Sequence, residues 1–327
     1  MKKGRILSGM RPTGHLHLGN LIGALENWVR LQQDYECFYF VADWHALTTG
    51  YRETAAIDSY TREMVLDWLA AGIDPARSVI FVQSTIKQHA ELHLLFSMIT
   101  PLGWLERCPT YKEQLQQLAE REITTYGFLG YPVLQAADIL IYRADAVPVG
   151  EDQLPHLELT REIARRFNYL YGEFFPEPQA LLNRVTILPG LDGRKMSKSY
   201  DNCLYLSAAP DEIRQAVRGM ITDPGRARRH DPGNPEVCTA FTYHRAFNPA
   251  RIEEIDPSCR EAKIGCVDCK KELAEAIVGY LAPFQARRRE LLADPGYVDR
   301  VLAEGGERAR AVAEETMKSV RRLVGLP

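Results

Sequence analysis

Two lysines stand three residues apart in the segment 195–199, which reads KMSKS. The segment follows a glycine-bearing loop at 189–193, so its lysines and serines can form a mobile cationic loop. Such a loop can close over a leaving pyrophosphate and neutralise its charge. This order of five residues arises by chance in roughly one chain of this length per ten thousand. The segment therefore predicts phosphate chemistry rather than a merely solvated basic loop.

A second polar segment, 11–20 (RPTGHLHLGN), follows the first predicted strand and opens a helix. The free amide groups and the positive dipole end of a helix N-terminus favour a phosphate. His17 and Asn20 lie one turn apart and can face the same ligand, while Gly19 leaves room for an adenine or a ribose. Alone, this pattern also fits a capped helix with two incidental histidines. Together the two segments predict a nucleotide site that uses neither a GxGxxG loop nor a Walker A motif.

Short apolar strands alternate with amphipathic helices in the first half of the chain. This alternation predicts an α/β fold with a Rossmann-like, doubly wound parallel sheet. The stretch 84–130 has helical character and few strand signals, so we interpret it as a helical insertion. Beyond about residue 200 the strand signals vanish, which predicts an all-α C-terminal domain. The predicted domains are therefore 1–200 and 201–327, with the boundary near 199–202.

The overall charge of the chain gives no case by itself for binding to nucleic acid or to a membrane. The sequence has 40 Lys and Arg against 43 Asp and Glu, for a net charge of −3. Any nucleic-acid contact therefore needs a local basic face, and the arginine-rich clusters 226–230 and 287–289 are predicted phosphate contacts. No apolar run approaches the roughly 18 residues that span a bilayer. The N-terminus lacks the apolar core of a secretory signal, so we expect a cytoplasmic protein that does not bind membranes.

Four of the seven cysteines lie within 32 residues: Cys238, Cys259, Cys266 and Cys269. In a cytoplasmic protein this set predicts a tetrahedral thiolate site for zinc or an iron–sulfur group, with free thiols as a further alternative. A zinc ribbon normally pairs two CxxC motifs, and this set contains one. His89 and His93 are one helical turn apart, but no third ligand accompanies them. We expect these two histidines on a solvated helix face.

The two polar segments carry a resemblance to a known family. Residues 12–20 resemble the HIGH signature of class I aminoacyl-tRNA synthetases, and 195–199 is their KMSKS signature. The segments 5–27, 131–142, 147–168 and 194–200, like the chain length, resemble the bacterial tryptophanyl members of that family. The likeness covers most of the first 200 residues and, more weakly, the remainder. It implies ATP-dependent formation of tryptophanyl-adenylate and transfer to tRNA(Trp), releasing AMP and pyrophosphate.

The resemblance also implies roles for particular residues. The catalytic group comprises His17, Lys195 and Lys198. Residues implied in binding ATP, with Mg²⁺ as its companion, are Arg11, Pro12, Thr13, Gly19, Asn20, Gly150, Glu151, Asp152, Ile187, Lys195, Met196, Ser197, Lys198 and Ser199. Residues implied in binding L-tryptophan are Tyr131, Gln135, Asp138 and Gln153. Relatives commonly have Gln at position 11 and many have Met at position 135, so these two positions depart from the common pattern.

Amino-acid choice depends chiefly on Asp138. An indole N–H only donates, so a tryptophan pocket needs one buried acceptor in an apolar slot. Tyrosyl enzymes of the same subclass place an aspartate here as well, so tyrosine is the alternative substrate. A more distant alternative is an iron–sulfur sensing protein on a synthetase scaffold, and another is a module that activates an amino acid without tRNA.

The family resemblance implies two further properties. The cysteine spacing is similar to that of a set that binds a 4Fe–4S cluster in a subset of bacterial tryptophanyl enzymes, with Zn²⁺ as the alternative. The family also implies a homodimer. The apolar residues Leu94, Leu95, Met98 and Ile99 of the insertion are predicted to contribute to its contact.

Overall fold

The structure is a computed structural model, which describes residues 2–109, 111–112, 124–182 and 188–327. Five parallel strands form one sheet in the order β3-β2-β1-β4-β5. The strands are β1 (Arg5–Met10), β2 (Glu36–Val41), β3 (Ser78–Val82), β4 (Ala146–Val149) and β5 (Gln179–Leu182). The predicted parallel α/β sheet is confirmed. The sequence pattern missed β5, because none of its four residues is buried.

The strand order reverses between β1 and β4, the point at which an open α/β sheet forms a crevice. The loops that leave these two strands begin with Arg11 and Gly150. β1 and β2 pair over six residues, from Arg5 with Glu36 to Met10 with Val41. β4 pairs with β1 only at Ile6 and Ala146. Pro148 lies farther along β4 and has no N–H to extend this ladder.

Helices account for most of the remaining described residues. Between the strands lie α1 (Leu18–Asn20), α2 (Glu26–Asp34), α3 (Asp43–Gly50), α4 (Ile57–Ala71), α5 (Gln88–Ile99), α6 (Leu102–Glu106), α7 (Tyr126–Ile141) and α8 (Leu154–Tyr171). A π-helical turn, Leu21–Leu25, joins α1 to α2. After β5 come α9 (Pro210–Gly219), α10 (Thr239–Phe247), α11 (Ile252–Arg260), α12 (Cys266–Leu292) and α13 (Tyr297–Leu323). None of the described helices is long and apolar enough to cross a membrane.

The chain forms two compact units. The first comprises Met1–Thr13, Asn27–Arg184 and Pro295–Pro327, and the second comprises Gly14–Glu26 and Val185–Asp294. The first unit contains the sheet and a core of buried apolar residues from β1, β2, β3, α5, α7, α8 and α13. In the second unit, α9 and α10 both pack against α12.

The last helix, α13, differs from its predicted place. The sequence assigned it to the helical C-terminal domain, but the structure packs it against β3 in the first unit. A stripe of small residues explains this packing, since Gly305, Ala309 and Ala313 are all buried. A Cβ atom on Gly305 would lie 1.8 Å from the carbonyl oxygen of Ile80. Only glycine allows such an approach between helix and strand backbones.

Candidate active site

The part of the first signature segment that begins at Gly14 lies with the KMSKS segment in the second unit. Residues on either side of His17 pair with a later strand-like segment, since the Leu18 amide donates to Leu204 and the Leu206 amide donates to Leu16. Gly14 has φ +124°, a conformation that other residues rarely adopt, and a Cβ there would be 3.3 Å from Nζ of Lys198. The structure therefore brings the loop that begins at Gly14 against one of the signature lysines.

His17 is the side chain at the centre of this arrangement. Its backbone N–H donates to Oδ1 of Asn20 at 3.1 Å, which caps α1. Its Nδ1 is buried and has no hydrogen-bond partner. Burial and the positive charge of Lys198 lower the pKa of His17 to about 4. His17 is therefore neutral at physiological pH, and it can act on a ligand through hydrogen bonding but not as a cation.

The loop that carries the lysines is shaped by Asn202, a residue the sequence analysis missed. Asn202 is 2% exposed. Its Oδ1 accepts from the Ser197 amide at 2.8 Å, and its Nδ2 donates to the Lys195 carbonyl at 3.1 Å and to Asp192 at 2.8 Å. A Cβ on Gly190 would lie 2.1 Å from that amide nitrogen. An asparagine in a polar loop carries no signal of this role, because the role depends on the folded loop.

In the first unit, Asp138 is the centre of a buried polar cluster. His45 Nε2 lies 2.8 Å from its Oδ2, and His89 Nδ1 lies 2.6 Å from its Oδ1. The amide nitrogen of Gln83 lies 2.8 and 2.9 Å from the two oxygens. Burial alone would raise the pKa of Asp138, but the hydrogen bonds and charges of the two histidines outweigh it and lower the pKa to about 2. Asp138 is therefore an ionised acceptor inside the protein.

This cluster leaves one buried acceptor without a donor. A carboxylate offers about four lone-pair positions, and the four hydrogen bonds from His45, His89 and Gln83 account for them at Asp138. Oε1 of Gln83, however, is buried with no hydrogen-bond partner. A buried acceptor without a donor costs about 1–3 kcal/mol. The cluster is therefore suited to a ligand that brings a single buried N–H.

Tyr131, Gln135 and Asp138 lie on one face of α7, as the spacing i, i+4, i+7 requires. Tyr131 is 8% exposed, and its hydroxyl lies 3.1 Å from Nε2 of the buried His156. Burial lowers the pKa of His156 to about 4, with a smaller contribution from His45. The predicted tryptophan-binding residues of this helix therefore share one side of it.

The remaining predicted ATP residues of the first unit follow β1 and β4. Arg11 and Thr13 are exposed, and Arg11 donates to Thr49 at 3.4 Å. Gly150, Glu151 and Asp152 are exposed just beyond β4. Gln153 is partly buried and donates to Asp152 at 3.0 Å. Ile187 lies outside the described residues, and of Ser199 the structure describes the backbone alone.

The expectation for His89 is wrong. The sequence placed it with His93 on a solvated helix face, but His89 is 0% exposed and bonded to Asp138 and Tyr142. Its role was missed because both partners lie about 50 residues farther along the chain, beyond the reach of a helical pattern. His93 is also largely covered, and its Nδ1 is buried without a hydrogen-bond partner.

The four clustered cysteines all lie in the second unit. Burial raises the pKa of Cys269 to about 12, and the neighbouring thiols of Cys238, Cys259 and Cys266 add to this effect. Nε2 of His244 lies 3.3 Å from the sulfur of Cys269. Within the described residues, no three His, Cys, Asp or Glu side chains are arranged to hold a metal ion. The described residues thus show no formed metal site.

Arg226 is a structural residue, contrary to its predicted place in a phosphate-binding cluster. Its guanidinium donates to the carbonyls of Arg229 and Ile264, both at 2.8 Å, and to the sulfur of Cys259 at 3.7 Å. Its Nε is buried without a partner. By contrast, the side chains of Arg229 and His230 are 79% and 76% exposed.

The architecture and these residues agree with a known family of proteins. A family model described as tRNA synthetases class I (W and Y) matches residues 1–282. The tryptophan–tRNA ligase of Thermotoga maritima is 59% identical over 98% of this chain and 99% of its own length. That of Aquifex aeolicus is 44% identical over 99% of this chain and 100% of its own.

A solved structure gives the same result. The tryptophanyl-tRNA synthetase of Campylobacter jejuni, complexed with ADP and tryptophan, superimposes with a TM-score of 0.89 at 33% identity. The match covers 98% of this chain and 100% of that one. The chain therefore belongs to the class I tRNA synthetases for tryptophan and tyrosine. Within that family its full-length relatives place it with the bacterial tryptophanyl-tRNA synthetases.

Proposed function

We propose that this chain is a tryptophan–tRNA ligase, which activates L-tryptophan with ATP and transfers it to tRNA(Trp). Its full-length similarity to ligases of this specificity supports the assignment, and so does the buried cluster around Asp138. That cluster lacks one donor, and an indole ring has a single N–H to give. Tyrosine activation is not favoured by these relatives.

The first step needs little proton chemistry from the protein. The carboxylate of tryptophan is already ionised and attacks the α-phosphate in line, so positioning and charge stabilisation provide the catalysis. Lys195 and Lys198 would neutralise the departing pyrophosphate. Neutral His17 would donate a hydrogen bond to oxygen at the α-phosphate, where charge develops. Mg²⁺, bound with ATP, would share the charge of the phosphates. In the second step the acyl group passes to the terminal ribose of tRNA.

Amino-acid-dependent pyrophosphate exchange, measured with all twenty amino acids, tests this function. We expect exchange with tryptophan alone. Asp138→Asn should raise the KM for tryptophan about 10- to 100-fold, since it deprives the indole N–H of a charged acceptor. The KM for ATP should not change. Asp58→Asn, at a carboxylate that is 82% exposed, is the matched control. Exchange with tyrosine, or an unaffected Asp138→Asn, would contradict the assignment.

We infer that tRNA is bound in part by exposed basic residues of the second unit. Arg229 and His230 are solvent-facing, and Arg228 is exposed beside them. Filter binding of tRNA by Arg228→Gln and Arg229→Gln should show weaker affinity and a shallower salt dependence, because each removes one phosphate contact. An unchanged salt slope would exclude this surface. A cytoplasmic location is the expectation for an enzyme that uses this substrate.

We also propose a homodimer whose contact includes α5 and α6. Leu94, Met98 and Leu102 are 55%, 69% and 62% exposed. Leu95 and Ile99, predicted for the same contact, instead pack against the core of the first unit. Clustered exposed apolar side chains of this size are typical of an interface.

Sedimentation velocity at micromolar concentration tests the dimer. Met98→Glu should shift the protein from dimer to monomer, because a charge would be buried in the contact. Tyr169→Glu, at a residue that is 88% exposed on α8, should leave the dimer intact. A monomeric wild-type protein would refute the proposal.

The cysteine set remains a candidate for a 4Fe–4S cluster, and we propose that it holds one, with Zn²⁺ as the alternative. The donor set is composed of thiols, as such a cluster requires, and all four cysteines lie in the second unit. A Cβ on Gly233 would lie 2.5 Å from the sulfur of Cys259, so the backbone lies close to this thiol. When bound, the group would link the segments that supply its ligands and stabilise this part of the second unit.

Anaerobic purification with metal analysis tests the cluster. We expect about four irons per chain and broad absorption in the visible range. Cys266→Ser should abolish both, whereas Cys203→Ser, outside the set, should not. Stoichiometric zinc without iron, or a metal-free protein with full charging activity, would overturn the proposal.

A further inference from the structure

Behind Asp138 lie two buried side chains, His89 and Tyr142, which are hydrogen-bonded in series and are called the relay below. Nδ1 of His89 is 2.6 Å from Asp138, and its Nε2 is 2.8 Å from the hydroxyl of Tyr142. His89 and Tyr142 are both 0% exposed, and Asp138 is 1% exposed. Bulk water therefore has no access to these two hydrogen bonds.

The direction of the hydrogen bond to Asp138 follows from the charge of its carboxylate. An ionised carboxylate only accepts, so Nδ1 of His89 carries a proton and donates it. The second ring nitrogen, Nε2, lies against the hydroxyl of Tyr142. Burial raises the pKa of Tyr142 well above its ordinary value, so that hydroxyl keeps its proton. Both nitrogens of the His89 ring are therefore held by hydrogen bonds.

Aromatic rings hold the relay in place. The His89 ring lies 6.2 Å from Phe40, 6.1 Å from Phe81 and 5.3 Å from Tyr142 between centroids. The Tyr142 ring stacks on Phe38 at 4.8 Å and meets Phe81 edge-on at 5.4 Å. Such packing leaves little room for either ring to turn. The hydrogen bond from His89 therefore fixes one oxygen of the Asp138 carboxylate.

We propose that His89 and Tyr142 are positioning residues for amino-acid selection, holding the carboxylate of Asp138 in the orientation in which it accepts from a ring N–H. They thereby set the preference for an indole over an isosteric ring that has no N–H. This inference rests on the proposed function of Asp138 as the acceptor. Neither residue needs to touch the substrate. Without the hydrogen bond from His89, one oxygen of the carboxylate is held less firmly, and selection for a ring N–H weakens.

Two substrates and two matched substitutions test the relay. Pyrophosphate exchange is measured with tryptophan and with β-(3-benzothienyl)alanine, in which sulfur replaces the indole N–H. His89→Asn places an amide nitrogen near Nδ1 and keeps the donor to Asp138. His89→Gln places its amide near Nε2 and loses that donor. The readout is the ratio of kcat/KM for tryptophan to kcat/KM for the sulfur analogue.

We expect His89→Gln to lower this ratio about 10-fold or more, the scale of one buried hydrogen bond. His89→Asn should keep the ratio within about threefold of the wild type, because the donor to the carboxylate survives. Tyr142→Phe removes one hydroxyl and should lower the ratio about threefold to tenfold. This last variant provides the test if His89→Gln does not fold, as judged by its urea midpoint. The KM for ATP should be unchanged throughout.

A loss shared equally by both substrates, or equal ratios in the Asn and Gln variants, would show a merely structural role and overturn the relay. A wild-type enzyme with no preference for tryptophan over the sulfur analogue would overturn both the relay and the role of Asp138. A clear wild-type preference that survives His89→Gln and Tyr142→Phe would overturn the relay alone.

Discussion

Replacing Gly305 by alanine tests how closely α13 lies on β3. An alanine Cβ would stand 1.8 Å from the carbonyl oxygen of Ile80 and 2.7 Å from its carbonyl carbon. Ordinary contact begins at 3.4 Å, so helix and strand would have to separate by about 1.6 Å. The obstacles are backbone atoms of β3, and no change of rotamer can move them aside.

Two opposing effects set the magnitude. Alanine is favoured over glycine inside a helix by about 1 kcal/mol. Overpacking costs about 1–3 kcal/mol and occasionally more, and rigid backbone obstacles favour the upper end of that range. We therefore expect Gly305→Ala to lower the free energy of unfolding by about 1–2 kcal/mol. At the adjacent Gly306 the nearest atom, Oγ1 of Thr85, would be 3.8 Å from a new Cβ. Gly306→Ala should therefore be neutral or stabilising by up to about 1 kcal/mol.

Urea unfolding followed by far-ultraviolet circular dichroism measures both variants under the same conditions. The midpoint should fall for Gly305→Ala and stay or rise for Gly306→Ala, with the denaturant dependence unchanged. Equal midpoints for the two variants would refute the close approach of α13 to β3.

Three further outcomes are expected. The pKa of His156 is lowered from 6.5 to about 4, so the unfolded chain binds more protons than the folded protein between these pH values, and the free energy of unfolding should fall as the pH drops through that window. In His156→Gln this fall should be smaller. Identical pH profiles of the urea midpoint for the variant and the wild type would contradict this. Arg226→Gln should cost about 1–3 kcal/mol, because the carbonyls of Arg229 and Ile264 lose a charged donor; an unchanged urea midpoint would show that these bonds are dispensable. Lys195→Ala and Lys198→Ala should lower the rate of adenylate formation much more than they weaken tryptophan binding, because the contacts of the two lysines strengthen as pyrophosphate charge develops. Single-turnover kinetics that show only a raised KM for tryptophan would argue against that role.

The sequence alone determined those features that local patterns can encode. Short apolar runs such as 37–42 and 78–82 specify buried parallel strands, because both faces of such strands are covered. The KMSKS segment and the residues around His17 carry their chemistry in a few contiguous positions, so they identified the family before any tertiary contact was known.

Only the tertiary structure decided which distant side chains meet. Asp138 draws its donors from His45, Gln83 and His89, which lie 93, 55 and 49 residues away in the chain. No periodic pattern spans such separations, so a buried histidine looked like a solvated one. For the same reason Arg226 looked like a free surface charge until two carbonyls were found at its guanidinium. Burial and pairing depend on how the whole chain folds, and a residue type with its local spacing does not contain that information.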